Sequence, residues 1–134
     1  MPFLGIQEGI TMITITKGEG KHIIQFEILT TNKRGLTIFI TGGDTPHVGA
    51  VALAVPSKNA ATGENTCDLN VITAYGHKDR FLAEKVADMV CRKTGEITSV
   101  TAGVHVDDAA KEDLQLLIAN TIAATEEFLT TYEK

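Results

Sequence analysis

The sequence predicts an α+β fold: a single domain over residues 1–134, with a mixed sheet of about six strands and two helices packed on one face. Three observations lead there. The first half holds a series of short segments in which apolar residues alternate with period 2. Two later segments carry apolar residues at helical spacing instead, and a last strand-like run separates them. Strands gathered before helices, rather than strictly alternating with them, favour an α+β layering.

Residues 10–16 are rich in Ile and Thr, which suit a pleated surface. Residues 22–30 place Ile24, Phe26 and Ile28 on one face and Gln25 and Glu27 on the other. Gly18 and Gly20, flanked by Lys17 and Glu19, give a hairpin signal between these runs. A polar turn from Asn32 to Gly35 leads to a third strand at 36–41, with Leu36, Ile38 and Ile40 sharing a face. In the fourth, at 50–55, Val51, Leu53 and Val55 oppose an all-alanine face of Ala50, Ala52 and Ala54. Such a face admits close approach by a helix or a flat ligand. Residues 56–66 read as a loop broken by Pro56, Asn59, Gly63 and Asn65, and a fifth strand follows at 67–73.

From Lys78 to Lys93 the stripe Leu82, Val86, Met89 and Val90 predicts a helix, ended by Gly95. A sixth strand is expected from Ile97 to Val106. The closing helix starts after Asp107 or Asp108, either of which can cap it. Its stripe runs through Leu114, Leu117, Ile118, Thr121, Thr125, Phe128, Leu129 and Tyr132. The opposite sheet face mixes Thr, Gln and Glu with Ile and Phe. A second subunit could cover it, so a homo-oligomer is expected.

Composition narrows the function. With 43% apolar and 22% charged residues the chain is typical of globular proteins. Its net charge of −5 is spread along the chain, with no basic stripe to neutralise phosphates, which argues against nucleic-acid binding. No apolar run reaches the roughly 18–20 residues that cross a bilayer. The start, Met1-Pro2-Phe3-Leu4, lacks the pattern of a secretory signal. Cys67 and Cys91 form no disulfide framework, and both are expected as packed core residues in a reducing cytoplasm.

Three segments concentrate the residues able to do chemistry: Thr41-Gly42-Gly43-Asp44-Thr45-Pro46-His47-Val48-Gly49, Tyr75-Gly76-His77-Lys78-Asp79, and Gly103-Val104-His105-Val106-Asp107-Asp108. Each begins where a strand ends, and together they hold three of the four histidines; His22, the fourth, is expected on the surface. Were the three strands to run the same way, these loops would share one sheet edge, where ligands commonly bind. Two of them open helices, whose free N–H groups and positive dipole end favour an anion. Gly42-Gly43 permits positive φ and close backbone approach, and Lys78 could supply compensating charge. The pattern fits a pocket for a phosphorylated small molecule. Each piece alone has a plainer use: Gly-Gly-Asp as a turn, Asp44 as a turn former, Asp107 as a cap. Imidazoles and carboxylates also raise a metal site, and with it a small metal-assisted hydrolase or lyase using His47, His77 and His105. No serine or cysteine sits in a nucleophile motif.

The same three segments, in this order, resemble the small D-type subunit of gallate (hydroxyarylic acid) decarboxylase, a prenylated-flavin chaperone-like family, over about residues 10–130. The resemblance implies an accessory protein, itself not a decarboxylase. It would hold prenylated FMN (or FMN) and deliver it to a large UbiD-type decarboxylase acting on aromatic acids. Carried onto this chain, Gly42, Gly43, Asp44, Thr45 and His47 would face the flavin or its phosphate. His77, Lys78 and Asp79 would lie at the phosphate-binding helix start, and His105 and Asp107 would complete the pocket. Tyr75, directly before Gly76-His77, is the aromatic best placed to stack on the ring. Phe39 and Phe81 are expected in the core.

Overall fold

The computed structural model describes residues 8–74 and 77–132. Its strands are β1 (Thr11–Lys17), β2 (Ile24–Thr30), β3 (Leu36–Gly43), β4 (Ala50–Lys58), β5 (Asn65–Thr73) and β6 (Thr98–His105), with helices α1 (His77–Thr94) and α2 (Lys111–Thr131). They form one sheet in the order β1-β2-β3-β6-β4-β5. The β3–β6 pair is parallel and every other pair antiparallel, so the sheet is mixed. Both helices cover one face: α1 lies over β4, β5 and β6, and α2 over β1 and β2. The predicted fold class holds.

One row of partners shows why these sequences pair in this register. Ile13, Ile28, Ile38, Val100, Ala52 and Val71 lie side by side across all six strands and face the helices. Slipping any strand by one residue would turn its apolar set to water. Phe26, Ile28, Ile38, Ile40 and Val100 are buried beneath Leu82, Val86, Leu117 and Phe128, each such side chain contributing about 1.5–3 kcal/mol. The alanine face of β4 meets a helix: Ala50, Ala52 and Ala54 are buried together with Ala83 and Ala87 of α1. Among the described residues, no helix is long and apolar enough to cross a membrane.

Several boundaries and placements differ from expectation, each for a local reason. Residues 56–58 belong to β4 and 65–66 to β5, so the loop is shorter than 56–66. The β4–β6 ladder stops at Ala54, and past it β4 pairs with β5 alone, so Pro56 can stand in a strand without costing a second ladder. Neither Asp107 nor Asp108 caps α2. Asp108 takes φ +49° in a turn, and Ala110 precedes the helix with its N–H donated to the Asp113 carboxylate at 2.8 Å.

His22 closes a short 3-10 turn, Gly20–His22, rather than starting β2, and is half-buried against Asp113 at 2.7 Å. Phe39 and Phe81 are exposed, not core: Phe39 occupies the open side of β3, and Phe81 lies off the Leu82–Val86 stripe. Cys91 is buried as expected, whereas Cys67 is only half-buried and donates to Asp88 Oδ1 at 2.7 Å. Burial and that bond push the Cys67 thiol up to about 12, the reverse of what a nucleophile needs.

Candidate functional site

Strand direction brings the three segments together. β6 runs parallel to β3; β4 runs against β6, and β5 against β4. Hence β3, β5 and β6 all point the same way, and their ends at Gly43, Thr73 and His105 lie along one edge. Register fixes the adjacency, with Gly43 opposite His105 and Ala50 opposite both Ala102 and Thr73.

At this edge β6 outruns β4. The β4 ladder begins with Ala50 opposite Ala102, leaving Val104 with no β4 partner. The first turn of α1 takes over. Asp79 Oδ1 accepts the Val104 N–H at 2.9 Å, and Lys78 Nζ donates to the Val104 carbonyl. Two consecutive side chains thus satisfy both backbone groups of one residue, as buried backbone requires.

Asp79 is 3% exposed. Its second oxygen, Oδ2, lies 2.9 Å from His47 Nε2, while His47 Nδ1 faces the Thr45 carbonyl at 3.0 Å. Both ring nitrogens of His47 therefore face an oxygen acceptor, which fixes the ring between its own loop and α1. Lys78 Nζ stands 3.9 Å from Asp79 Oδ1, so a lysine, a histidine and a backbone N–H offset one buried carboxylate.

Glycines make the crossings possible. A Cβ on Gly103 would overlap the His47 carbonyl, and one on Gly49 would strike Asp79 Oδ2. On the other flank Asp44 N–H donates to the His105 carbonyl at 2.6 Å, and Asp107 N–H to Asp44 Oδ2 at 3.1 Å. His105 Nε2 bonds Asp107 Oδ1 at 2.9 Å, with both side chains exposed.

The structure therefore brings Asp44, Thr45, His47, Lys78, Asp79, His105 and Asp107 to one edge, with exposed His77 opening α1. Tyr75 lies outside the described residues. Gly42 and Gly43 are present at the edge, and their close approaches are to the Ile23 and His105 carbonyls; Gly43 N–H donates to Ile23 O at 3.2 Å. Sequence reasoning missed Val104 and Gly49. A backbone group signals nothing through its side chain, and Gly49 showed its purpose only once Asp79 stood beside it.

For an anionic, flat cofactor the edge offers the N-terminal end of α1, exposed His77 and His105, and exposed Val48 and Phe81 as apolar surface. The charge of Asp79, which would oppose a phosphate, is already offset. Among the described residues no three His, Cys, Asp or Glu side chains gather as metal ligands. His47 and His105 are each paired with a different aspartate, Asp79 and Asp107.

Comparison with known proteins places the chain in a family. Residues 13–133 match the family described as the prenylated flavin chaperone LpdD-like domain. Protein LpdD of Lactiplantibacillus plantarum is 30% identical over 103 residues, which span 77% of this chain and 72% of that protein. A chain in the crystal structure of a chaperone complex for yeast 20S proteasome assembly shares the fold, with a TM-score of 0.60. It is 12% identical, with 91% of this chain and 94% of that one covered. By its match over nearly the whole length, the chain belongs to the prenylated flavin chaperone LpdD-like family.

Proposed function

We propose that this protein binds prenylated FMN at the shared edge of β3, β5 and β6 and passes it to a large UbiD-type decarboxylase. On this reading it works in the cytoplasm as a homo-oligomer and performs no decarboxylation itself. The carrying observation is the convergence of the three polar loops on one edge, in a chain of this family.

The phosphate would lie at the start of α1, near His77, where main-chain N–H groups and the helix dipole favour an anion. His105, Asp107 and Thr45 supply exposed polar groups, and Val48 and Phe81 supply apolar surface toward a ring. His47, Lys78 and Asp79 hold the loops together from beneath. When bound, prenylated flavin supplies the electrophilic ring chemistry that the partner enzyme uses. This chain would bind it, orient it and release it.

The test is co-expression with a flavin prenyltransferase, anaerobic purification, and measurement of absorbance and native mass. The expected result is a coloured protein carrying one prenylated FMN per chain, with His77→Ala weakening retention about 10-fold or more. A colourless protein of bare polypeptide mass, beside an active prenyltransferase, would reject cofactor storage.

A further inference from the structure

At the end of the sheet away from the three loops, β3 and β6 begin and both helices stop. A cavity of about 160 Å³ lies there, lined by Lys33, Lys93, Thr94, Glu96, Leu129 and Tyr132. Lys33 comes from the β2–β3 turn, Lys93 and Thr94 from the last turn of α1, and Leu129 and Tyr132 from the end of α2.

We infer that this cavity is a second binding site, which takes a small monocyclic aromatic carboxylate. Four features of the lining lead there.

The first is which polar groups are left to meet a ligand. Glu96 accepts the Gly35 N–H at 3.0 Å through Oε1 and the Tyr132 hydroxyl at 2.7 Å through Oε2. Burial and that carboxylate push the Tyr132 phenol upward, so it stays a donor. Thr94 Oγ1 donates to the Val90 carbonyl at 2.7 Å and accepts the Glu96 N–H at 3.1 Å. Lys33 and Lys93, by contrast, make no ion pair among the described residues. Two ammonium groups therefore remain, and they select an anion.

The second is charge. Two lysines against one glutamate leave the lining one positive charge in excess, and the C-terminal ends of α1 and α2 add partial negative charge. That balance suits a monoanion and disfavours a dianionic phosphate.

The third is size. An apolar cavity of about 150 Å³ takes up benzene. The cavity here matches one six-membered ring, with Leu129 and the Tyr132 ring as apolar contacts, and is too small for a three-ring flavin.

The fourth is backbone. Asn32 and Lys33 hold φ of +61° and +75°. Asparagine tolerates this region, whereas a lysine there is strained. The strain places its ammonium 4.5 Å from the centre of the Tyr132 ring, beside the cavity.

The site is separate from the cofactor edge and does not depend on what binds there. Helix α1 runs between the two, with His77 at one end and Lys93 near the other.

Titration of benzoate into the full chain, followed by amide NMR shifts, tests it. The expected result is saturable shifts at Gly35, Gly95 and Leu129, with a Kd of about 1 mM or tighter. Lys33→Gly removes the ammonium while relieving the strained φ, and Lys93→Gln changes an exposed side chain. Each should weaken benzoate about 5-fold or more with the fold kept, and acetate should bind wild type weaker by a similar factor. Shifts that fail to saturate by about 20 mM benzoate overturn the inference, as does equal affinity in wild type and both variants. So does acetate binding as tightly as benzoate, which removes the ring from the recognition. Shifts confined to Gly43, His77 and His105 would put the acid at the loop edge and overturn it too. Retention of prenylated FMN is read in a separate measurement, so either reading can fail alone.

Discussion

Replacing Asp79 by Ala should cost about 2–3 kcal/mol in urea denaturation, because it orphans the buried Val104 N–H and unseats His47. Asp79→Asn should cost less than half as much, since Oδ1 can still accept from Val104. If Ala and Asn prove equal, the carboxylate works through its charge alone and not through the Val104 bond. This pairing was not legible in the sequence. His47 and Asp79 stand 32 residues apart, and only the order β3-β6-β4 brings their loops into contact. What could be read was that both residues sat in unusual, glycine-flanked turns at strand ends. Gly42 and Gly43 were legible as close approaches, and in the structure they meet the Ile23 and His105 carbonyls.

At the scale of elements, the strands and helices followed from period and breakers, because each strand has one face on a single core. Their ends were harder. Two aspartates before α2 looked like caps, yet the turn at Asp108 spends them, and Asp113 serves from inside the first turn. Asp113 also ties α2 to the β1–β2 connection through His22, with Lys21 Nζ at 3.5 Å. The His22 bond, helped by the Ala110 N–H, lowers its carboxyl from 3.8 to about 2. The folded state therefore holds this proton less tightly than the unfolded chain. Its stabilisation is complete above about pH 4 and is lost as pH falls toward 2. Asp113→Asn should flatten that stretch of the acid limb in a plot of urea midpoint against pH. An unchanged limb would mean that α2 is docked by its apolar stripe without help from this contact.

At the scale of the whole molecule, the long-range insertion of β6 between β3 and β4 was invisible to local pattern. Periodicity reports which face a strand buries and says nothing about which strand lies beside it. The same insertion has a consequence for the order in which the chain can be built. Residues 98–105 leave the ribosome after both groups of strands they join, the β1–β3 meander and the β4–β5 hairpin. At about 5–20 residues per second, those groups wait several seconds with β3 and β4 as unpaired edges. A nascent chain stopped before Thr98 should stay sensitive to protease, and one extended past Lys111 should become resistant once α1 and β6 close the gap. Resistance gained before Thr98 would show that the first five strands hold together alone. Otherwise the central strand is the last of the six to arrive, and the newborn chain keeps two sticky edges open until it does.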